Sequence, residues 1–434
     1  MKKVAFYTLG CKVNQYETEA MLEMFKKEGY TQVDSEDFAD VYVINTCTVT
    51  HMSDRKSRQY IRRMKKKNPN AIIAVVGCYS QIAPKEVSAI EGVDVVLGTR
   101  NKGDVVYYVN KARDEQTAQI YVESVLRNKK FEALNIEEYQ DKTRAFLKIQ
   151  DGCNNFCTYC IIPWARGTVR SQKPEVVIEQ VKQLVEHGHC EVVLTGIHTA
   201  AYGEDLEDYS FGKLLQDLIE IEGLKRIRIS SIEASEVTDD VIAAMKKSDK
   251  IVNHLHMPIQ AGSDTILKGM KRPYTLAEFE QKVTELRELF DNLAITTDVI
   301  VGFPGETEEL FNETLETIKR IGFSELHVFP YSVRNGTPAA RMENQVPELI
   351  KSMRVNQLLA LSEQLAKEYA SSCEGKVLQV IPEEVSHTNE GYLVGHASNY
   401  VKVEFKGTPD LIGEVVPVKV VKADYPICQG EMVK

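Results

Sequence analysis

Three cysteines each stand directly after a short apolar run. Cys11 follows Val4-Ala5-Phe6-Tyr7-Thr8-Leu9-Gly10, Cys47 follows Val41-Tyr42-Val43-Ile44-Asn45-Thr46, and Cys78 follows Ala71-Ile72-Ile73-Ala74-Val75-Val76-Gly77. Each run reads as a buried strand, and each is followed by helical periodicity. Such alternation builds a parallel sheet, whose strands align their carboxyl ends along one ligand-binding edge. Cysteines distant in sequence would then meet in space. One cysteine at a strand end is ordinarily a small buried hydrophobe. Three at equivalent ends share softness and position, which points to a metal centre.

A second triplet lies within Gly152-Cys153-Asn154-Asn155-Phe156-Cys157-Thr158-Tyr159-Cys160. Cys153, Cys157 and Cys160 supply three thiolates and no fourth. A 4Fe–4S cluster held by three thiolates keeps one iron open. An open iron can bind and reductively cleave S-adenosylmethionine, so this triplet points to radical chemistry. The upstream triplet is also three, so a second cluster with an exposed iron is expected, making two 4Fe–4S clusters. Zinc is the main rival, since thiolates suit it, but a closed zinc site wants four ligands. His51 could complete the upstream set, although a lone histidine beside a helix start is more often solvated. A plain ferredoxin would need four cysteines per cluster. Cys190, Cys373 and Cys428 fall outside both triplets and read as incidental.

No 18-residue apolar run occurs and the opening lacks a secretory core, so a cytoplasmic protein with no membrane contact is expected. Nine cysteines in that setting suit metal ligation better than disulfides. The formal charge of −10 argues against a broad nonspecific nucleic-acid binder. One local exception runs from Asp54 to Lys67, with eight basic residues against one acid. Ser57, Ile61 and Met64 share the buried stripe of this helix, leaving the charges outside. Arg62, Arg63 and Lys66 are its candidate phosphate contacts. The pattern also describes a plain solvated face; position favours function, because the helix leaves the Cys47 loop.

The chain reads as α/β in three parts. Residues 1–112 form a small doubly wound α/β domain: Asn14 and Glu17 read as a capping pair, Gly29 as a helix stop, Pro84 as a first-turn residue, and 93–97 as a fourth strand. Residues 111–143, with Asn128-Lys129-Lys130 and Glu137-Glu138, read as a linker. Residues 140–370 repeat strand and helix, with strands at 145–149, 191–196, 226–231, 254–260, 295–302 and 325–331. Six units are too few for a closed eight-stranded barrel, so a partial (β/α)6 barrel is expected, its active face at the strands' carboxyl ends. A helix near 348–370 leads out. Residues 371–434 turn β-rich and predict a small antiparallel β-barrel.

These residues resemble the radical SAM methylthiotransferase family over essentially the whole chain. The motifs are Thr8-Leu9-Gly10-Cys11-Lys12-Val13-Asn14-Gln15, Asn45-Thr46-Cys47, Gly77-Cys78, the 152–160 loop, Ser230-Ser231-Ile232-Glu233, and the segments 254–263 and 298–307. The resemblance implies an N-terminal methylthiotransferase domain, a radical SAM partial barrel and a terminal TRAM barrel. Leu9 to Gln15 looks most like the branch acting on N6-threonylcarbamoyladenosine next to the anticodon of tRNA. Other branches act on isopentenyladenosine in tRNA or on a ribosomal protein aspartate. The terminal segment is acidic for an RNA-binding barrel, with six Lys against nine Asp or Glu. It would therefore read tRNA by shape and a few aromatics, or add little affinity alone.

The resemblance also implies a mechanism. A methyl group passes to a sulfur on the cluster of Cys11, Cys47 and Cys78. The cluster of Cys153, Cys157 and Cys160, fed by a donor such as flavodoxin or ferredoxin, generates a 5′-deoxyadenosyl radical that activates an inert adenine C–H. Tyr159 could stack on the cofactor's adenine or shield the cluster. Thr195 and Gly196 are expected beside the cofactor's amino group, where Gly permits close approach. Ser231, Glu233 and Gln260 could hold its ribose or methionine part. Gly302 and Gly305 shape a turn. Arg166 and Arg170 could meet substrate carboxylate or phosphate, or form ordinary salt bridges. His198 and His256 carry no assigned role.

Overall fold

The first sheet is fully parallel, with strands β1 (Lys3–Thr8), β2 (Thr31–Val33), β3 (Val41–Thr46), β4 (Ile72–Gly77), β5 (Val95–Leu97) and β6 (Gln119–Tyr121) in the order β2-β1-β3-β4-β5-β6. The computed structural model describes residues 2–48, 51–125, 130–134, 136 and 143–433. The side chain of His51, and the linker residues Asn128, Lys129, Glu137 and Glu138, lie outside the described residues. Helix α1 (Lys12–Lys27) packs Met21, Leu22 and Phe25 on one face of the sheet. Helix α2 (His51–Lys67) packs Tyr60, Ile61 and Met64 on the other. The two-sided winding expected from the sequence is present, and strand order reverses between β1 and β3.

Two local expectations need correction. The 111–143 stretch is not all linker: it contains β6, which pairs with β5 as a sixth strand. Asn14 and Glu17 do not cap α1; Cys11 is its N-cap, without a side-chain cap bond. Tertiary demand overrides the local pattern, because both residues are buried and used elsewhere.

The central part has six parallel strands: β7 (Arg144–Lys148), β8 (Glu191–Thr195), β9 (Arg226–Ile229), β10 (His254–His256), β11 (Ala294–Val301) and β12 (Glu325–Pro330). They form two three-stranded sheets joined by a single bridge, Ile227 to Ile251. Alternation divides their side chains. Ala145, Leu147, Val192, Leu194, Ile227, Ile229, Leu255, Ile295 and Val299 enter the large core under the helices. The intervening residues, including Arg144, Lys148, Glu191, Arg226, Arg228, His254, His256 and Asp298, occupy the opposite, inner face. The half-barrel lumen is therefore densely polar.

Helix Glu348–Ser372 leads to a closed barrel of β13 (Val377–Val385), β14 (Tyr392–Ala397), β15 (Lys402–Lys406), β16 (Val416–Lys422) and β17 (Cys428–Met432). It is not wholly antiparallel: β17, which sequence reading missed, runs parallel to β15 with Val403 opposite Cys428. This barrel closes the amino end of the lumen. Arg144 pairs with Glu383 at 2.7 Å, and Arg226 donates to the Gln379 carbonyl at 2.8 Å and the His396 carbonyl at 3.1 Å. Tyr400 lies under Arg228 at 4.6 Å and stacks on His254 at 4.9 Å. Tyr400 thus plugs the amino end of the lumen.

Candidate active site

The three upstream cysteines sit where β1, β3 and β4 end side by side. Register pairs Thr8 with Asn45 and Thr46 with Gly77. Gly10, at φ +106°, lets the chain fold over Cys47; a Cβ there would stand 2.7 Å from Cys47 Cβ and 3.0 Å from its Sγ. Gly77, at φ +99°, does the same against the Thr46 carbonyl, 2.6 Å from such a Cβ. Asn14 Nδ2 donates to the carbonyls of Leu9 at 2.6 Å and Thr46 at 3.1 Å, stitching the first two cysteine turns together. Thr46 Oγ1 donates to the Val76 carbonyl at 2.6 Å and accepts from Tyr79 N at 3.2 Å, stitching the second to the third. Cys47 and Cys78 are buried and Cys11 is exposed. The set opens on one side, at the switch point where an α/β sheet binds ligands.

The second triplet occupies the loop after β7. Gly152 is required there: at φ +78°, a Cβ would fall 2.0 Å from the Thr168 carbonyl. Arg272 Nη1 approaches Cys157 Sγ at 3.2 Å, and its Nη2 pairs with Glu233 at 2.6 Å. His198 Nδ1 lies 3.8 Å from Cys153 Sγ, while its Nε2 meets Glu236 at 2.5 Å. Burial pushes the Cys160 thiol up to about 12, so a metal is what would make it a thiolate at neutral pH. Tyr159 is half buried between Cys157, Cys160 and Arg272.

The expected cofactor residues separate into two kinds. Ser231 and Gln260 are half buried at strand ends, and neither side chain has a protein partner among the described residues. Both are available to a ligand. Thr195 is buried with its hydroxyl on the Val193 carbonyl, and Gly196 sits against Gln150 and Thr199. Glu233 is already engaged by Arg272, by Asn155 at 3.1 Å, and by its own capping turn. Gly302 is covered by the stem of Lys351, 2.4 Å from where a Cβ would stand, and its amide donates to Glu306.

Arg166 and Arg170 are not poised for a substrate. Arg166 is fully buried, 2.8 Å from Glu17 and 3.3 Å from Asp151, and donates to Asn14 Oδ1 at 2.7 Å. Arg170 is buried beside Asp151 at 3.5 Å. Lys102 and Lys148 also pair with Glu17, at 2.7 and 2.9 Å, and Lys148 reaches Asp151 at 2.8 Å. Burial opposes ionisation of Glu17, but Arg166, Lys102 and Lys148 outweigh it and hold the carboxyl well below its usual range. Four buried cations thus surround two carboxylates between the triplets. Arg166 also acts electrostatically on the Cys11 and Cys78 thiols. Positive charge beside the upstream thiols fits a thiolate-bound, net anionic cluster.

On α2, Ser57, Ile61 and Met64 are buried as the stripe requires. Arg55, Lys56, Arg62 and Lys66 are exposed and unpaired among the described residues. Arg63 instead reaches Glu36 and lies over Tyr60 at 5.3 Å. Sequence reasoning missed a further group. His256, Asp298 and His327 come together on β10, β11 and β12, with Asp298 Oδ1 3.2 Å from each imidazole. Their ligand atoms lie within 4.8 Å of one another, a spacing a cation could span. Hydrogen bonds already satisfy the three. The inner-face alternation His254-Leu255-His256 was the signal that could have revealed them. Phe156 and Trp164 form an exposed edge-to-face pair, 5.6 Å between centroids, beside the second cysteine triplet.

With this geometry in place, comparison with known proteins is specific. Residues 147–318 match the radical SAM superfamily, and residues 371–432 match the TRAM domain. Residues 3–98 match a family described as uncharacterized protein family UPF0004. The fold resembles a radical S-adenosylmethionine methyltransferase, TsrM, from Kitasatospora setae, with a TM-score of 0.54 and 15% identity, covering 90% of this chain and 79% of that one. The chain is a radical SAM protein. It is 56% identical to the threonylcarbamoyladenosine tRNA methylthiotransferase MtaB of Bacillus subtilis (strain 168), over 100% of this chain and 97% of that protein. The MtaB of Aquifex aeolicus (strain VF5) is 41% identical, over 96% and 99%. A tRNA-2-methylthio-N(6)-dimethylallyladenosine synthase of Clostridium botulinum is 38% identical, over 98% and 95%. The chain belongs to the radical SAM tRNA methylthiotransferase family. Among the described residues, no helix is long and apolar enough to cross a membrane.

Proposed function

We propose that this chain adds a methylthio group to the adenine of N6-threonylcarbamoyladenosine in tRNA, using S-adenosylmethionine and two 4Fe–4S clusters. When bound, these groups supply methyl transfer, reductive radical formation and sulfur delivery. One observation carries the reading: the sheet that bears Cys11, Cys47 and Cys78 is tied by a buried ion network, Glu17 with Arg166 and Lys148, to the domain whose loop bears Cys153, Cys157 and Cys160. Cys11, Cys47 and Cys78 would hold one cluster, and Cys153, Cys157 and Cys160 the other. Arg272 would keep its contact to Cys157 Sγ, 3.2 Å away, and orient that ligand. Ser231 and Gln260, free of protein partners, would bind the polar parts of the cofactor, with Tyr159 shielding the cluster or stacking on the adenine. Arg62 and Lys66 would bind phosphates, since such contacts set register rather than sequence. Electrons would come from a small donor such as flavodoxin or ferredoxin.

The threonylcarbamoyl substrate is favoured over dimethylallyladenosine by the higher identity to the relatives so named. Mass spectrometry of tRNA nucleosides from a deletion strain tests it. The 2-methylthio derivative of threonylcarbamoyladenosine should disappear, leaving its precursor, and return on complementation. Loss of a methylthiolated isopentenyladenosine, or of no nucleoside, would contradict the proposal.

A further inference from the structure

Lys12 follows Cys11 in the first turn of α1 and is half buried. Its electrostatic neighbours come from every strand of the half-barrel: Arg144 of β7, Glu191 of β8, Arg228 of β9, His254 of β10, Asp298 of β11 and His327 of β12. These groups lie on the inner face of the half-barrel, and α1, which carries Lys12, packs against β7 at its open edge, so Lys12 faces the charged lumen.

The other charges of the lumen are committed. Arg144, Arg226 and Arg228 converge on Glu191 at 2.8, 3.3 and 2.9 Å. Lys148 belongs to Glu17 and Asp151. Asp298, the acid that could have taken Lys12, is held by His256 and His327. Lys12 itself makes no hydrogen bond or ion pair among the described residues. A half-buried ammonium among committed charges, with no protein partner of its own, is open to an anionic ligand group.

Building on the threonylcarbamoyl reading, we propose that Lys12 is a specificity-determining residue that receives the carboxylate of the threonine arm of the substrate. The arm sits on N6. The carbon bearing N6 and the adenine C2 flank the same ring nitrogen, so an anchor on the arm also fixes C2. That anchor stands one residue from Cys11.

Anaerobically reconstituted full-length protein, with Lys12→Gln and Lys12→Arg variants, tests this by fluorescence anisotropy. The probes are anticodon stem-loops carrying the threonylcarbamoyl group as the free acid or as its methyl ester, which keeps the shape and removes the charge. Wild type should bind the acid about tenfold or more tightly than the ester, as a lost charged hydrogen bond implies. Lys12→Gln should bind acid and ester alike, and Lys12→Arg should keep most of the preference. Equal binding of acid and ester by wild type, or an undiminished preference in Lys12→Gln, would overturn the role of Lys12. If Lys12→Gln fails to fold, Lys12→Met, which also lacks the charge, is read in its place by the same acid-to-ester comparison. Product analysis separates the two levels. A wild type that methylthiolates the acid stem-loop without preferring it to the ester rejects Lys12 alone. A wild type with no product from the acid stem-loop rejects the substrate reading, and this proposal with it.

Discussion

Arg166, from the short helix after the Cys153–Cys160 loop, reaches Glu17 of α1 at 2.8 Å with both side chains fully buried. This contact crosses from the radical SAM domain to the sheet that carries the other three cysteines. The two cysteine-bearing segments are therefore tied together by buried charge, and the consequences are measurable.

Replacing Glu17 with Gln would leave Arg166, Lys102 and Lys148 short of a carboxylate in a buried site. Breaking a buried pair from one side costs about 3–5 kcal/mol, so denaturant unfolding at neutral pH should show a loss of that order. The Glu17 carboxyl is held below its usual range in the folded protein. Its contribution is therefore present above the unfolded value of about 4.3 and is lost as pH falls below that value. Glu17→Gln should show a shallower loss of stability in acid than wild type. Equal slopes would mean that the network does not depend on this charge.

Iron content follows from the two triplets. Anaerobic reconstitution should give roughly eight irons per chain, and a Cys11/Cys47/Cys78 triple alanine variant roughly four, as one four-iron cluster requires. Mössbauer spectra should show the same halving. Four irons in wild type, unchanged in the triple variant, would remove the upstream cluster.

Exposure grades the basic helix. Arg62 and Lys66 are exposed and unpaired among the described residues, whereas Arg63 is occupied by Glu36 and Tyr60. Arg62→Glu and Lys66→Glu should each weaken tRNA binding at low salt and reduce the salt slope by roughly 1 per lost contact. Arg63→Glu should have the smaller effect, and iron content should not change in any of them. Affinity unchanged across a salt titration would make α2 a solvated face.

Much of this architecture is legible in the sequence, because it rests on periodicity and on cysteines at strand ends. Register could place Cys11, Cys47 and Cys78 together from their runs alone, since parallel strands share an edge. The destinations of Asn14, Glu17, Arg166 and Arg170 were not legible. Their local context suggests caps and phosphate contacts, and only the docking of two domains buries them together. Strand β6 was missed because three residues, two of them exposed, carry no alternating signal. Strand β17 was missed because Cys428-Gln429-Gly430-Glu431-Met432 has Gly at its centre and little apolar signal, although it pairs with its neighbour β16 as well as with β15. The polar lumen was visible in Arg226-Ile227-Arg228-Ile229 and in His254-Leu255-His256, where charge alternates with apolar residues inside a barrel expected to be filled.

In the proposed function the two triplets hold clusters with separate tasks on one tRNA substrate. The most direct measurement follows 5′-deoxyadenosine and methylthiolated nucleoside together, in reconstituted enzyme supplied with reductant, S-adenosylmethionine and threonylcarbamoyladenosine-bearing tRNA. Wild type should form both. Cys157→Ala should form neither, and Cys47→Ala should form 5′-deoxyadenosine but no methylthio product. Methylthio product from Cys47→Ala at wild-type stoichiometry would contradict the claim.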